Sequence, residues 1–486
     1  MYCMKNIFFC LIFLIANINN IYAQYFGGIK NDRGIALCQA NRHFYIAANT
    51  RSFGHGSEDI WIIRVNENFE YINAVEWGSQ HHDIVADIVS TNESGFALLG
   101  YSWDAPGSRT GLVISKYDSL LNNLWTSYFS GSSDNVGFGI IQTKDNGFIA
   151  VGYDRSEGVF GACSMIKLNE FGVLEWEKFY DTPNKDIAMD VIELNDGTIM
   201  LLANSSSFEG KITNSSDYLG DEVSKPMLIK TDRVGNELWR NSYGGDKHSF
   251  GKKLINFDNN SYLIVGSSLN NTNGNFDITL DKIDSLGNLI WHRNYGGSSY
   301  DYGNAIAINS LGEILIVGYS NSFSINENPD LYIVKTDNNG NEIWSNFLGG
   351  DNSDYGNDIK FLANNEIALL GTTFSTYNGN SNILFHKMSS DGEIKDTLIK
   401  ILPSTLPQPF FYPNPVTDFF YVHFVEDQMF ENFNIKLFDI YGKIVFQKQG
   451  NNNYSPIYIS KKLKSGIYTY EIKISENIYL GKIVVN

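Results

Sequence analysis

The chain has 486 residues, of which 43% are hydrophobic and 14% aromatic, with 44 glycines and a formal net charge of −18. This length suits two or three domains unless repeats build one large domain, and the aromatic and glycine content favours strands and tight turns. The negative charge excludes a nucleic-acid binder that works by neutralising phosphates, and it disfavours an anionic membrane surface as a partner. Four cysteines in so long a chain exclude a disulfide scaffold.

The first 23 residues have the three parts of a secretory signal peptide. Lys5 supplies a positive start, residues 7–16 (IFFCLIFLIA) are apolar, and a polar stretch leads to Ala23. We expect cleavage after Ala23, because an apolar stretch this short does not span a bilayer. Cys10 lacks the small residue that precedes a lipidated cysteine, so no lipid anchor is predicted. No later stretch is long and apolar enough to predict a transmembrane segment.

Residues 24–402 contain a repeat of about 52 residues. The segments NELWRNSYGG (236–245), NLIWHRNYGG (288–297) and NEIWSNFLGG (341–350) are near copies of one another. The equivalent positions are Asn73, Trp125, Trp176, Trp239, Trp291, Trp344 and Asp396, in steps of 52, 51, 63, 52, 53 and 52 residues. An Ala or Gly at positions 48, 100, 152, 203, 266, 318 and 371 follows the same period. We therefore predict seven repeats, with an insertion near residues 209–220.

Each repeat carries four strand signals separated by turn residues. Between residues 301 and 350 they are NAIAIN, EILIVGYS, DLYIVKTD and NEIWSNF. The second strand is apolar at successive positions, so both of its faces must be covered. Units that cover one another in a closed circle form a β-propeller, and the prediction is an all-β, seven-bladed β-propeller. We also expect residues 25 and 26 to close the ring by pairing with the last blade.

Five of the eight tryptophans occupy one position of the repeat, on the predicted outer strand. Burial of so large a side chain contributes roughly 2–4 kcal/mol and can link one blade to the next. We predict blade packing for Trp125, Trp176, Trp239, Trp291 and Trp344, with an aromatic ligand platform as the alternative. The run Asp-x-x-Gly-Asn-x-x-Trp (284–291, 337–344) resembles the Trp-docking motif of quinoprotein propellers and the Asp-box hairpin of sialidases, but its spacing differs from both. Neither family's catalytic residues can be placed here.

The position just before each first strand is acidic in five of the seven repeats. It holds Asp32, Asp83, Asn135, Asp186, Ser249, Asp301 and Asp354. Residues two apart in a strand, such as Asp32, Gly34 and Ala36, should lie on the same side of it. We expect these positions to lie near one mouth of the channel. The five carboxylates could collect a hard cation such as Ca²⁺. The simpler interpretation is that each Asp accepts backbone N–H bonds and fixes the turn between two blades.

The sequence predicts no other cofactor and no catalytic residues. It has no metalloprotease helix motif, no nucleophile elbow and no phosphate-binding glycine loop. The paired His81 and His82 lack a partner at metal-ligand spacing, so they predict no metal site. Paired carboxylates for glycoside cleavage cannot be assigned, because acidic residues recur in every repeat.

The end of the chain differs in composition from the repeats. The segment ILPSTLPQPFFYPNP (401–415) holds five of the ten prolines, and we predict a stiff linker over residues 403–411. Short alternating segments follow, among them FFYVHF, NIKLFDI, KIVFQK and IYTYEIKI. They predict a small Ig-like β-sandwich over residues 412–486.

Four motifs of this tail resemble the type A C-terminal sorting domain of the type IX secretion system. They are YPNPVTD (412–418), LFDIYGKIV (437–445), LKSGIYTYEI (463–472) and GKIVVN (481–486), in the family's order. The motif residues are Pro413, Asn414, Pro415, Asp439, Gly442, Lys443, Gly466, Tyr468 and Lys482. The resemblance implies a Gram-negative, Bacteroidetes-type bacterium. It also implies export across the outer membrane by the type IX machinery, with the tail removed and the protein released or attached to the cell surface.

The propeller sequence indicates a class of function without a ligand. Loops carry the function of such folds, so we expect a binding or scaffold module for a glycan or a protein, more readily than an enzyme. The alternatives are a secreted hydrolase or lyase acting on polysaccharide, and an adhesin or filament component. An enzyme should gather polar side chains and perturbed carboxylates in a deep pocket, whereas a binding module should show a broad face lined by aromatic side chains.

Overall fold

The computed structural model describes residues 23–28, 30–103, 110–129, 135–155, 161–182, 185–206, 224–245, 248–269, 275–324, 328–376, 379–392, 410–412, 419–423, 433–439, 443–450, 457–458, 463–464, 466–474 and 477–485. In these parts 35 strands form nine sheets, and no helix there is long and apolar enough to cross a membrane. The predicted signal peptide up to residue 22 and the predicted linker up to residue 409 lie outside the described residues.

Seven four-stranded antiparallel sheets lie between residues 23 and 388. The first strand of the chain is β1 (Ala23–Phe26). Blade 1 comprises β2 (Asp32–Ala40), β3 (His43–Thr50), β4 (Asp59–Asn66) and β5 (Tyr71–Trp77); blade 2, β6 (Asp83–Ser90), β7 (Phe96–Ser102), β8 (Gly111–Tyr117) and β9 (Asn123–Phe129). Blade 3 comprises β10 (Asn135–Gln142), β11 (Phe148–Asp154), β12 (Ala162–Leu168) and β13 (Leu174–Tyr180); blade 4, β14 (Asp186–Glu193), β15 (Ile199–Ser205), β16 (Lys225–Thr231) and β17 (Glu237–Ser242). Blade 5 comprises β18 (Ser249–Asp258), β19 (Ser261–Leu269), β20 (Phe276–Asp284) and β21 (Leu289–Tyr295); blade 6, β22 (Asp301–Ile308), β23 (Ile314–Ser320), β24 (Asp330–Thr336) and β25 (Glu342–Leu348). Blade 7 contains β26 (Asp354–Phe361), β27 (Ile367–Thr373) and β28 (Asn382–Met388).

The two ends of the repeat region meet in blade 7. Strand β1 is its fourth strand and pairs antiparallel with β28, with Ala23 opposite His386 and Phe26 opposite Ile383. The innermost strands β2, β6, β10, β14, β18, β22 and β26 each pack against the next, and β26 packs against β2. The ring is therefore closed, and the predicted all-β, seven-bladed propeller is confirmed.

The core of the ring lies between blades. Strands β7, β11, β15, β23 and β27 are second in their blades, and β11, β15 and β27 are buried along their whole length. One cluster joins Val317 and Ile333 of blade 6 to Ile359 and Leu369 of blade 7. Because a single sheet leaves both faces of these strands bare, each blade needs a neighbour on either side.

The five tryptophans lie on outer strands and contact the next blade. In the next blade, each tryptophan meets the turn between the third and fourth strands. In blade 5 this turn is capped by Asp284, which accepts the N–H groups of Leu286 and Asn288 at 2.9 and 2.8 Å. Gly287 ends that turn with φ 87°, and a Cβ on it would lie 3.0 Å from Trp239. The same contact joins Trp125 to Gly172, Trp176 to Gly235, Trp291 to Gly340 and Trp344 to Gly392.

At the two junctions without such a tryptophan, a large side chain replaces the glycine. Asn73 stands at the tryptophan position of blade 1, and the matching turn residue of blade 2 is Leu121, which is buried with φ 71°. At the junction of blades 7 and 1 the turn residue is Phe69, which has φ 67° and stacks on Phe385 at 4.5 Å. The left-handed backbone costs about 1–2 kcal/mol for a residue with a Cβ, and filling the space of the missing indole offsets that cost.

The tail forms two antiparallel sheets. One contains β29 (Phe410–Tyr412), β30 (Phe419–His423) and β33 (Ile457–Tyr458); the other contains β31 (Phe433–Phe438), β32 (Ile444–Gly450), β34 (Gly466–Ile474) and β35 (Asn477–Val485). Ile435, Leu437, Ile472 and Ile483 are fully buried. Alternation along β31, with every second residue buried, produces this core.

We expect the substitution Gly287→Ala to destabilise the propeller, because the added methyl group strains a positive φ and presses on Trp239 and Asn241. The matched control is Gly379→Ala, which has φ 71° but nothing within 4 Å of its Cβ. The control isolates the backbone strain, and overpacking should cost Gly287→Ala about 1–3 kcal/mol more. Thermal unfolding of both variants measures the difference. Equal losses of stability would show that the tryptophan contact contributes nothing.

Candidate functional site

Every innermost strand contains a β-bulge at the same place. The pairing with the second strand shifts between Gly34/Ala36, Val85/Asp87, Gly137/Gly139, Ala188/Asp190, Gly251/Lys253, Gly303/Ala305 and Gly356/Asp358. An extra residue reverses the alternation of side chains, so residues two apart across the bulge point to opposite faces. The expectation that Asp32, Gly34 and Ala36 share one side of the strand is therefore wrong.

The predicted carboxylate row is buried at the junctions between blades. Asp32, Asp83, Asp186, Asp301 and Asp354 are at most 2% exposed. Each accepts the N–H of the residue four positions earlier, at 2.5–2.8 Å: Gly28, Ser79, Thr182, Gly297 and Gly350 respectively. Each carboxylate thus holds the loop that enters its blade. Among the described residues, no three His, Cys, Asp or Glu side chains are placed to hold a metal ion.

The pKa values of this row reflect burial. Loss of solvent raises the pKa of Asp32, Asp186 and Asp354 above the ordinary range for Asp, although hydrogen bonds from the loop and from neighbouring Ser and Thr side chains act in the opposite direction. These groups are buried and each accepts a loop N–H, so they lack the exposure that a general acid needs to reach a substrate.

A lysine crosses the channel. Lys253 of blade 5 places its Nζ 3.1 Å from Asp87 Oδ2 of blade 2 and 3.8 Å from Asp190 Oδ1 of blade 4. Blades 2 and 5 are not neighbours, so this ion pair spans the middle of the ring. Both carboxylates also accept a backbone N–H from the following blade, Ile140 at 3.2 Å and Leu254 at 2.8 Å. Burial raises the pKa of Asp190 to about 6, and the nearby Lys253 limits the rise.

A series of stacked rings lies at the end of the ring where the innermost strands begin. We name Phe250, Phe276, Tyr300, Tyr302, Tyr319 and Tyr355 the aromatic arc. Tyr302 is its centre, with ring centroids 5.9 Å from Phe250, 5.5 Å from Phe276 and 5.0 Å from Tyr319, all stacked. Tyr355 meets the edge of Tyr319 at 4.9 Å. The arc therefore runs without interruption across blades 5, 6 and 7.

The aromatic arc is open to solvent beside its central residue Tyr302. Tyr300 is 44% exposed and lies parallel to Tyr302, at 4° between the ring planes. Burial raises the pKa of Tyr302, with the nearby Tyr300 adding to the rise, so the Tyr302 hydroxyl is protonated at neutral pH. The second residues of the innermost strands are Arg33, Ile84, Val136, Ile187, Phe250, Tyr302 and Tyr355. No acidic residue is among these seven, in a chain of charge −18.

Sequence reasoning missed the arc, because Tyr and Phe also favour strands, so their number alone does not distinguish a binding face from strand packing. The signal that could have found it is positional. Phe250, Tyr302 and Tyr355 directly follow Ser249, Asp301 and Asp354, the same repeat position in three successive repeats. Tyr319 and Phe276 are distant in sequence from that row and reach it only through strand pairing and contact between blades.

Five of the sorting-motif residues lie in the described part of the tail, at the end of β31 and in strands β34 and β35. Asp439 caps the turn between β31 and β32, where Oδ1 accepts the Lys443 N–H at 3.0 Å. Gly466 begins β34, and the buried Tyr468 donates its hydroxyl to Lys464 O at 2.7 Å. Lys482 pairs with Thr469 through the backbone of β35. Pro413, Asn414, Pro415 and Gly442 lie outside the described residues.

Comparison with known families identifies this tail. Residues 410–486 match the family described as the secretion system C-terminal sorting domain. These residues are a type IX secretion sorting domain. The sorting domain implies export of the chain and interaction with the type IX secretion machinery. No curated protein matches the sequence.

The chain is also similar to solved structures, among them the following three. The WD40 domain of Pan2 from Neurospora crassa is 10% identical with a TM-score of 0.42, over 74% of this chain and 89% of that one. Sqt1 from Chaetomium thermophilum is 11% identical with a TM-score of 0.43, over 72% and 82%. The β-propeller domain of the Trilobed protease from Pyrococcus furiosus is 8% identical with a TM-score of 0.43, over 78% and 99%.

We expect Lys253→Met to destabilise the propeller, and to do so more at pH 8 than at pH 5. At pH 8 the substitution leaves Asp87 and Asp190 charged without their cation, which should cost about 2 kcal/mol or more. Because its pKa is raised when folded, Asp190 favours the folded state at low pH, and this contribution is lost as the pH rises through about 6. At pH 5 Asp190 is mostly neutral, so the loss should shrink.

Chemical denaturation of the wild type and of Lys253→Met at both pH values measures the effect. Lys252→Met is the control: it removes the adjacent ammonium, whose pKa is lowered by burial and by Lys253. The control should be neutral or slightly stabilising. A pH-independent loss in Lys253→Met would contradict the assigned ion pair.

Proposed function

We propose that the protein is an exported glycan-binding module whose ligand lies across the aromatic arc. The observation that carries this proposal is the unbroken series of six rings in contact over blades 5–7, exposed at Tyr300. Broad aromatic faces with few polar groups are typical of binding sites rather than of deep catalytic pockets.

A sugar is the ligand class that matches the chemistry of the arc. A pyranose ring has an apolar C–H face and a rim of hydroxyls, and a tyrosine pairs an apolar ring with one hydroxyl in the same way. Four of the six rings of the arc are tyrosines, and Tyr300 and Tyr302 are parallel. Successive parallel rings offer a track on which the faces of linked sugar units can pack.

The channel limits how far a ligand can enter. The ion pair of Lys253 with Asp87 spans the ring, so a polysaccharide cannot thread along the axis without breaking it. A ligand therefore lies over the mouth and extends outward from it. This geometry favours recognition of a chain's side or end over passage of the chain.

The carboxylates beside the arc favour binding over hydrolysis. Asp301 and Asp354 directly precede Tyr302 and Tyr355 but are 0% and 2% exposed, and they accept the N–H groups of Gly297 and Gly350. A glycosidase needs two carboxyl groups that reach the glycosidic bond from solvent. These two are enclosed, and each already serves its own loop.

The place of action follows from the tail. We infer that a signal peptide ending at Ala23 directs the chain to the periplasm of a Bacteroidetes-type bacterium, and that the sorting domain then carries it to the cell surface or the medium. A glycan binder displayed there meets extracellular polysaccharides, which supports this ligand class.

We expect Tyr302→Ala to weaken binding to the polysaccharide that the wild type retains, and Tyr300→Ala to do the same. Loss of one stacking face should reduce affinity about tenfold, or about 1.4 kcal/mol. The measurement is affinity electrophoresis of the purified protein over a panel of neutral and acidic polysaccharides, followed by calorimetry on each one that retards it.

The matched control is Tyr128→Ala. Tyr128 is 45% exposed, which is close to the value for Tyr300, but it lies on outer strand β9 of blade 2. It should leave affinity unchanged. The proposal fails if no polysaccharide binds, or if Tyr128→Ala weakens binding as much as Tyr302→Ala does.

A further inference from the structure

The second positions of the seven innermost strands contain one charged residue, Arg33 of blade 1. The other six are Ile, Val, Phe or Tyr. Arg33 is exposed to solvent, and it occupies the same strand position as Tyr302 and Tyr355 of the aromatic arc. The ring of positions that carries the arc therefore also carries a cation, in a chain whose net charge is −18.

Arg33 lies at the blade 7 end of the aromatic arc. Tyr355 is the ring of blade 7, and its strand β26 packs against β2 of blade 1. Tyr355 pairs with Thr372 in the sheet, and the Thr372 hydroxyl donates at 3.4 Å to the carbonyl oxygen of Gly34, the residue after Arg33. The Asn357 side-chain amide donates to the same carbonyl oxygen. Arg33 is therefore the residue that follows Tyr355 around the mouth.

Within the described part of the chain, no other group neutralises Arg33. Its side chain makes no hydrogen bond, ion pair or ring contact there, whereas every other described arginine makes at least one. The preceding Asp32 is buried and accepts the Gly28 N–H at 2.7 Å and the Ser52 hydroxyl at 2.6 Å. The guanidinium is therefore free to pair with an anion from outside the protein.

A second cation, Lys30, lies in the loop that enters β2. Lys30 is exposed, and its N–H donates to the Ser52 hydroxyl oxygen at 3.0 Å, which holds its backbone beside blade 1. Its ammonium group has no ion pair with any residue that the structure describes. We name Lys30 and Arg33 the basic pair.

The net charge of the chain does not decide the charge of a ligand at this place. Surface charges are screened over about 8 Å at physiological ionic strength, so the groups nearest to the ligand dominate. In the loops that enter blades 7 and 1, the exposed charged residues are Asp351 and Lys30. Arg33 therefore gives this part of the mouth a positive balance, because Asp32 and Asp354 are buried.

We propose that the glycan on the aromatic arc is anionic and that the basic pair binds its carboxylate or sulfate groups, an inference that rests on the proposed function. A uronic acid has its carboxylate at the rim of the sugar ring, so a unit stacked on Tyr355 presents its charge sideways. The fork of the Arg33 guanidinium matches two oxygens of one carboxylate or sulfate. The arc binds the faces of the sugar units, and Arg33 selects the charged ones.

Two pairs of polymers that differ in charge test this selection: polygalacturonate against its methyl ester, and dextran sulfate against dextran. Calorimetric titration of each polymer into the purified protein measures the affinities. We expect at least one anionic polymer to bind about fivefold more tightly than its neutral counterpart, which is the upper range for an exposed ion pair. A preference within the first pair alone assigns a carboxylate, and a preference within the second pair alone assigns a sulfate ester.

Arg33→Gln should remove most of this preference and leave binding to the neutral polymer unchanged, and Lys30→Gln should remove a smaller part of it. Arg42→Gln is the matched control. Arg42 follows the other end of β2, its side chain is 82% exposed, and its substitution removes the same charge. It should keep the wild-type preference.

Equal or absent binding within both polymer pairs overturns the inference with the wild-type protein alone. A preference that persists in Arg33→Gln, or that Arg42→Gln loses to the same extent, also overturns it. The glycan proposal survives these results if another polysaccharide binds and Tyr302→Ala weakens that binding. Absence of binding to every polysaccharide tested overturns both proposals.

Discussion

The second strand of every blade is apolar on both faces, and only neighbouring blades can cover it. This constraint decides the architecture, because an open stack would leave the first and last units with a bare face of Val, Ile and Leu. Closure through β1 removes both bare faces at once, as Phe26 and Phe385 join the cluster that also contains Phe44 of blade 1. The ring is thus stabilised by burial between sheets, and the hydrogen bonds within each sheet supply its geometry.

The tryptophan contact shows how repeats of unequal sequence keep equal spacing. Where an indole is present, the facing turn ends in glycine, and where it is absent, Leu121 or Phe69 occupies that turn position. Each junction between blades is filled either by the indole of one blade or by the turn side chain of the next, so the outer edge of each junction is packed in both cases. The cost is that Leu121 and Phe69 adopt a left-handed backbone. A cavity at the same place would lose more packing energy than this strained φ costs.

The period, the blade count and the outer position of the tryptophans could be predicted from sequence, since they depend on spacing along one chain and on a residue type with few alternatives. The side that Ala36 or Asp87 faces could not be predicted. The bulge that precedes them adds one residue and puts Ala36 and Asp87 on the face opposite Asp32 and Asp83. A Gly stands just before the bulge in five of the seven blades, but Val85 and Ala188 interrupt that signal. Much of the aromatic arc could not be predicted either, because Tyr302 and Phe276 belong to different blades and meet only when those two blades pack.

The innermost strands make the axis of the ring rigid and also carry the aromatic side chains at its mouth. Beyond the bulge these strands carry Asp87, Asp190 and Lys253, whose ion pairs link blades 2, 4 and 5 across the ring. Before the bulge they carry Phe250, Tyr302 and Tyr355, whose rings contact aromatic rings of a neighbouring blade. Because the ion pairs across the ring hold these strands in place, the site changes little in shape when a ligand binds. Little conformational entropy is therefore lost on binding. That preorganisation suits a weak, repetitive ligand such as a sugar chain, for which each contact contributes little and several must form together.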